Sequence, residues 1–251
     1  TKYSVSYQYH FTASYRRPSV DPRIDFCTDV DFQERQQLIK AAFTVDIRST
    51  YATYDIQYGN VRRPNHWNTS WDLARFESVG HRFADLSEHG YGVALLNDCK
   101  YGYDIKDNVM RISLLRSGLE PDYLQDVGRH TFTYSLLPHQ GDFVQGQVPK
   151  SAFLLNQPFT VMEGTLRYPI GSFFTLDNDQ VEVDAVKKSE DGDGLLLRFH
   201  DFAGSRQKVE VKPSFAYCVW AESDLMERPV SDFTSEPIRM ELHPYEIKTI
   251  L

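Results

Sequence analysis

The sequence predicts an all-β protein, a large antiparallel β-sandwich followed by a small one. Three observations predict it. Apolar and polar residues alternate with a period of two through much of the 251-residue chain, the spacing that sends successive side chains to opposite faces of a strand. No stretch of twelve residues sustains a helical apolar stripe, and Gln33–Phe43 comes nearest. Short turns at Asn60, Gly90 and Asp107-Asn108 punctuate the alternation at about the interval of a sandwich.

Taken in order, Tyr3, Val5, Tyr7, Tyr9 and Phe11 share one face of a first strand, and Ile24, Phe26, Thr28 and Val30 one face of a second. Tyr54, Ile56 and Tyr58 form another, closed by Gly59-Asn60, and Trp71–Glu77 alternates as well. Val93–Leu96 is a continuous apolar run and reads as a buried strand. Met110, Ile112 and Leu114, then Phe132, Tyr134 and Leu136, supply two more faces. The pattern lapses at Gln140–Lys150, a polar, Gly-bearing surface loop, and again at Met162–Gly171. These breaks put the large sandwich in residues 1–162 and the small one in 163–251. In the latter the expected strands are Val181–Ala185, Leu195–Phe199, Val209–Val211, Ala216–Trp220, Ile238–Leu242 and Ile247–Leu251. Glu190–Gly194 joins the first two as a hairpin turn, and it lacks the alternating oxygens and distal Glu of a calcium loop.

Hydrophobic content of 41% with 14% aromatic excludes a disordered chain. A run of eighteen apolar residues, the length a spanning helix needs, is absent. The net charge of −8, with basic pairs such as Arg62-Arg63 and Lys187-Lys188 isolated, argues against nucleic acid or an anionic membrane as partner. The first residues carry no charged-then-apolar leader, and the initial Thr is compatible with a fragment. Cys27, Cys99 and Cys218 are widely spaced and odd in number. Two of them read as small buried residues, which suits a reducing, cytoplasmic compartment.

Val93–Ile105 carries the most chemistry. Its buried strand runs into Asn97-Asp98-Cys99-Lys100 and then Tyr101-Gly102-Tyr103. Asn and Asp suit a tight turn and Gly102 permits a positive φ. An amide, a carboxylate, an ammonium and two phenols at a rigid strand end suit a sugar, although an ordinary hairpin end would carry similar residues. In Gly59–Trp71, Arg62, Arg63, His66 and Trp67 suit either sugar contact or a surface against another domain. The charged residues of Asp72–Asp85 read as a salt-bridged strand face. Each of the eight histidines is single, with no Asp or His two positions on. The nearest approaches to a metal pair, His139 with Asp142 and His200 with Asp201, read as solvated polar residues.

NDCKYGYD, preceded by RRPNHWNTSWDLARFESVGHRFADLSEHGYGVALL, resembles the C-terminal half of the α-mannosidases of glycoside hydrolase family 38, in their cytosolic and bacterial branch. IDFCTDVDFQERQQLIKAAF, ATYDIQYGNVRRP, DVGRHTFTYSLLPHQGD and the terminal LHPYEIKTIL extend the resemblance. It implies a mutarotase-like supersandwich, its N-terminal strands missing, and then a small terminal sandwich. It also implies a parent enzyme that hydrolyses terminal α-mannosides with retention, using an Asp nucleophile, a carboxylic acid and zinc. The family's His-x-Asp metal signature has no counterpart here, so this chain is expected to be non-catalytic and to bind no cofactor of its own. Its expected partners are its own N-terminal catalytic domain and a mannose-containing oligosaccharide, with a homo-oligomer open. Asn97, Asp98, Lys100, Tyr101, Arg62 and His66 are the candidate substrate-binding residues. An apolar, aromatic patch is expected on the surface at Thr1–Phe11 or Arg62–Trp71. The alternative is a free-standing carbohydrate-binding or mutarotase-like β module.

Overall fold

Antiparallel strands make up most of the regular backbone. The computed structural model describes residues 10–11, 22–160, 162–165, 171–192, 194–217 and 219–251. The chain divides into two compact units, one of Thr1–Ile56 with Val61–Phe159 and one of Gln57–Asn60 with Thr160–Leu251.

The first unit carries β1 (His10–Phe11), β2 (Ile24–Phe32), β3 (Leu38–Thr44), β4 (Tyr51–Ile56), β5 (Gly59–Pro64) from Val61 on, β6 (Ser78–Val79), β7 (Phe83–Glu88), β8 (Tyr91–Asn97), β9 (Gly102–Lys106), β10 (Val109–Arg116) and β11 (Gly128–Gln140). A seven-stranded sheet in the order β1-β2-β11-β8-β7-β4-β5 faces a four-stranded one in the order β3-β10-β9-β6. Phe32, Tyr54, Leu86 and Leu95 of the first meet Tyr103, Ile105, Met110 and Ile112 of the second in one buried cluster. The alternating positions of β2, β10 and β11 supply this face, as their period requires. Strand β8 differs because both its faces are covered. Val93 and Leu95 point into the sandwich. Ala94 and Leu96 point outward onto Val148 and Ala152 of helix α2 (Val148–Asn156). Double burial is why this strand is a continuous apolar run rather than an alternation.

Two expectations for this unit fail locally. Trp71–Glu77 is not a strand: helix α1 (Ser70–Ala74) opens there. Thr69 Oγ1 accepts the Asp72 N–H, and the Asp72 carboxylate accepts the Thr69 N–H at 3.0 Å. This reciprocal cap outweighs a short alternation. The polar loop at Gln140–Lys150 gives way to α2 from Val148. Asp142 Oδ1 closes the preceding turn by accepting the amides of Val144 and Gln145, and Pro149 suits a first helical turn. The cysteines also depart from expectation, since Cys27 and Cys99 are exposed. Cys27 lies on the outward phase of β2 and Cys99 in the turn after β8; Cys218 lies outside the described residues. Of the expected first strand, the described residues include only the backbone pairing of β1 with β2.

The second unit carries β12 (Phe174–Leu176), β13 (Val181–Lys188), β14 (Leu195–Asp201), β15 (Gln207–Pro213), β16 (Glu222–Ser223), β17 (Ile238–Leu242) and β18 (Ile247–Ile250). Sheets β12-β15-β17 and β13-β14-β18-β16 enclose Leu197, Phe199, Val209, Val211, Met240 and Ile250. Asp201, fully buried, anchors two loops by accepting the amides of Ala203, Gly204, Ser205 and Tyr245. Of the strand expected at Ala216–Trp220, Cys218 lies outside the described residues and the other four belong to no strand. Trp220 makes an isolated bridge with Thr234 and turns its indole N–H to Glu236 O, 2.7 Å away.

Candidate functional site

The turn after β8 is held from inside. Asn97 is wholly buried. Its Nδ2 donates to His81 O at 2.7 Å and to the Tyr103 hydroxyl at 2.5 Å, and its Oδ1 accepts the Lys100 amide at 2.7 Å. The α2 residue Asn156 donates to Asn97 O at 3.0 Å. Tyr103, also fully buried, gives its hydroxyl hydrogen to Leu95 O, and burial pushes its phenol far up. Asp98 extends the ladder toward β11: its amide donates to Thr133 O and its Oδ2 accepts the Thr133 amide at 2.8 Å. Asp98 Oδ1 is buried and accepts no N–H or O–H among the described residues; the Cys99 thiol, a weak donor, lies beside that carboxylate. The structure therefore uses Asn97 and Asp98 as fasteners.

Lys100 and Tyr101 are what the turn presents. The Lys100 ammonium lies 4.5 Å from the centroid of the Phe132 ring, a cation–π contact that orients the charge. Among the described residues its donors meet no hydrogen-bond acceptor and no carboxylate. Tyr101 is 54% exposed, with its ring tilted against His81 at 5.9 Å.

Arg62 and His66 take other partners. The Arg62 guanidinium sits 5.3 Å from the Tyr51 ring, and its neighbour Arg63 lies over Tyr54 and donates to Val79 O. His66 Nδ1 lies 3.6 Å from Asp72, whose carboxyl is held below the usual range chiefly by its hydrogen bond from Thr69. Beyond them the chain exposes Trp67, Trp71, Leu73, Phe76 and Val79, with Trp71 at 74%. The aromatic exposure expected at Arg62–Trp71 is present and continues to Val79.

Glu77, Arg82 and Asp85 of the Asp72–Asp85 stretch are paired with residues outside it, and the stretch is a helix, a turn and β7 rather than one strand face. Glu77 binds Lys40, Arg82 grips the buried Asp55 through two nitrogens at 3.1 and 3.2 Å, and Asp85 lies 2.7 Å from His139 Nε2. His139 and His200 are buried, not solvated. Each falls on a covered sheet face against carboxylate: His139 meets Asp85, while His200 Nδ1 lies 2.9 Å from Asp184 and its Nε2 3.9 Å from Glu182. Gly92 makes room for the first of these pairs, since a Cβ there would lie 2.3 Å from His139 Cε1. Among the described residues no three His, Cys, Asp or Glu side chains are placed to hold a metal ion, so zinc does not fit the residues present.

Sequence reasoning offered the Tyr103 phenol to a sugar, whereas it is fully buried, and it overlooked the parts played by Asn156 and Phe132. The burial of Tyr103 had a signal, since Tyr103 and Ile105 flank Asp104 in strand phase. Asn156 had none, because it reaches Asn97 from 59 positions away.

Comparison with known proteins agrees with this architecture. The family model "Glycosyl hydrolases family 38 C-terminal domain" matches residues 2–124, and "Glycosyl hydrolases family 38 C-terminal beta sandwich domain" matches residues 180–250. The chain is 38% identical to human alpha-mannosidase 2C1 over 92% of its own length and 23% of that protein. It is 42% identical to alpha-mannosidase G of Dictyostelium discoideum, over 72% of this chain and 17% of the relative. A solved alpha-mannosidase from Enterococcus faecalis shares the fold with a TM-score of 0.76 at 20% identity, over 91% of this chain and 27% of that one. The chain thus spans about a quarter or less of these relatives. It belongs to glycosyl hydrolase family 38, as a C-terminal portion of that family's polypeptide.

Proposed function

We propose that this chain is the non-catalytic C-terminal β portion of a retaining, zinc-dependent α-mannosidase that hydrolyses terminal α-mannosides. The observation that carries the reading is the pair of C-terminal family matches together with relatives named α-mannosidases, of which the chain spans a quarter or less. The catalytic groups and the zinc belong to the preceding portion of such an enzyme. This chain packs against that portion through the stretch from Trp67 to Val79, which exposes Trp67, Trp71, Leu73, Phe76 and Val79. The turn after β8 borders the sugar. Lys100 brings an ammonium whose donors meet no acceptor among the described residues, and Tyr101 an exposed phenol. Asn97 and Asp98 hold the backbone that carries them, while Arg62 and His66 lie on the flanking loop. A cytoplasmic location accords with the two free, exposed thiols.

The test is hydrolysis of an aryl α-mannoside by this chain and by the longer polypeptide containing it, each with and without a zinc chelator. The expected result is chelator-sensitive turnover by the longer polypeptide and none by the chain alone. Zinc-dependent turnover by the chain alone would overturn the reading, as would a longer polypeptide inert toward α-mannosides.

A further inference from the structure

A cleft opens at the end of the large sandwich away from the turn after β8. Strand β8 leaves the Glu88–Tyr91 turn and spans seven residues, Tyr91–Asn97, so the two ends lie roughly 20 Å apart along the strand. At the Glu88 end, residues 46–50, 87–89 and 107–108 surround an open space of about 790 Å³, within the range of small-molecule sites. The loops are stapled to one another through the backbone. Buried Asn65 donates from Nδ2 to both Ser49 O and Asp107 O, its own carbonyl accepts the Asp107 amide, and its amide donates to Thr50 O. Glu88 Oε2 accepts the Arg48 amide at 2.8 Å, and the Val45 amide donates to Asn108 O. Gly90 supplies the positive φ, 90°, that the connecting turn requires.

With the loops fastened in this way, the side chains of Asp46, Arg48, His89, Asp107 and Asn108 line the cleft without a hydrogen bond or ion pair among the described residues. Their mixture restricts the occupant. A phosphate or other anion would face the carboxylates of Asp46, Glu88 and Asp107. A compact cation would face Arg48, and no three of these groups converge as a metal ion needs. A neutral, hydroxyl-rich molecule uses acceptors and donors alike, and planar carboxylate, guanidinium and amide groups take vicinal hydroxyls in pairs. We propose that this cleft is a carbohydrate-binding site for a neutral oligosaccharide, separate from the turn after β8.

The proposal is tested with this chain and four probes: mannotriose, maltotriose, inorganic phosphate and calcium ion. Backbone NMR shifts and calorimetry report binding. The expected result is that one or both trisaccharides bind with a Kd of about millimolar, typical of a small, solvated site. The shifts should centre on residues 46–50, 88–89 and 107–108 and spare residues 97–103. Asp46→Ala and Arg48→Ala, both changes of exposed side chains without partners, should each weaken binding by about tenfold while leaving the unfolding midpoint unchanged. Either phosphate or calcium binding there in place of sugar would overturn the assignment. So would sugar binding that ignores both substitutions, or no sugar binding at tens of millimolar. Because the readout is binding by this chain, a failure here is distinct from a failure of the mannosidase reading, which is measured by turnover.

Discussion

The turn Asn97–Tyr101 and the stretch Trp67–Val79 make opposite use of their residues. The turn is rich in polar groups, yet most of them face inward: the side chain and carbonyl of Asn97 engage four partners and Asp98 joins two strands. The stretch looks like an alternating strand, yet it folds as a capped helix and leaves two tryptophans and a phenylalanine in water. Polarity at a strand end is therefore a poor guide to a binding group until its hydrogen bonds are assigned. Exposed aromatics on a short helix point to a partner more directly, because solvent gives them no return.

Asn97→Ala should produce the largest effect. It strips donors from His81 O and the Tyr103 hydroxyl and an acceptor from the Lys100 amide, in a site without water access, so the chain should lose about 3 kcal/mol in urea unfolding. A loss below about 1 kcal/mol would show that the turn is not fastened by this amide. Tyr103→Phe should be milder, about 1–2 kcal/mol at neutral pH.

That variant also has a pH signature. Burial raises the phenols of Tyr103 and Tyr54, the latter to about 12, against an ordinary 10.0. The folded state thus keeps protons that the unfolded chain releases. Stability should be complete below pH 10 and fall as pH rises from there, and the fall should be shallower in Tyr103→Phe and in Tyr54→Phe. Unfolding midpoints measured between neutral pH and strong alkali check the sign.

The helix end of the comparison predicts smaller changes. Asp72 is held below its ordinary 3.8, mainly by Thr69. Its contribution to the α1 cap should be present above that value and vanish as pH falls through the lower, folded-state one, an order that the amide shifts of Thr69 and Asp72 would follow. Trp71→Ala should leave this chain's stability within about 0.5 kcal/mol. The same substitution should lower the melting temperature of the longer polypeptide. Equal, negligible effects in both would remove Trp71 from the proposed contact.

The fold was largely legible in the sequence because period-two alternation survives wherever one sheet face is buried, as in β2, β10 and β11. It failed where local chemistry overrode the period, at the Thr69–Asp72 capping box, and where a helix began at a proline, as in α2. The candidate site was only half legible. Composition located the turn, but not which groups face inward, because Tyr103, Phe132 and Asn156 reach Asn97 or Lys100 through tertiary contacts that no spacing announces. The burial of His139 with Asp85, and of His200 beside the exposed Asp184, was hidden for the same reason.

The most direct test of the account is Lys100→Ala in the longer polypeptide, with kcat/KM on an aryl α-mannoside measured beside the melting temperature. The ammonium's ring contact is worth about 0.5–1 kcal/mol, so the melting temperature should fall by no more than a few degrees. A charge-assisted bond to a sugar hydroxyl is worth about 1.5–3 kcal/mol, so kcat/KM should fall roughly ten- to a hundredfold. Unchanged kcat/KM, with or without a loss of stability, would contradict the account and leave Lys100 as a fastener of the fold.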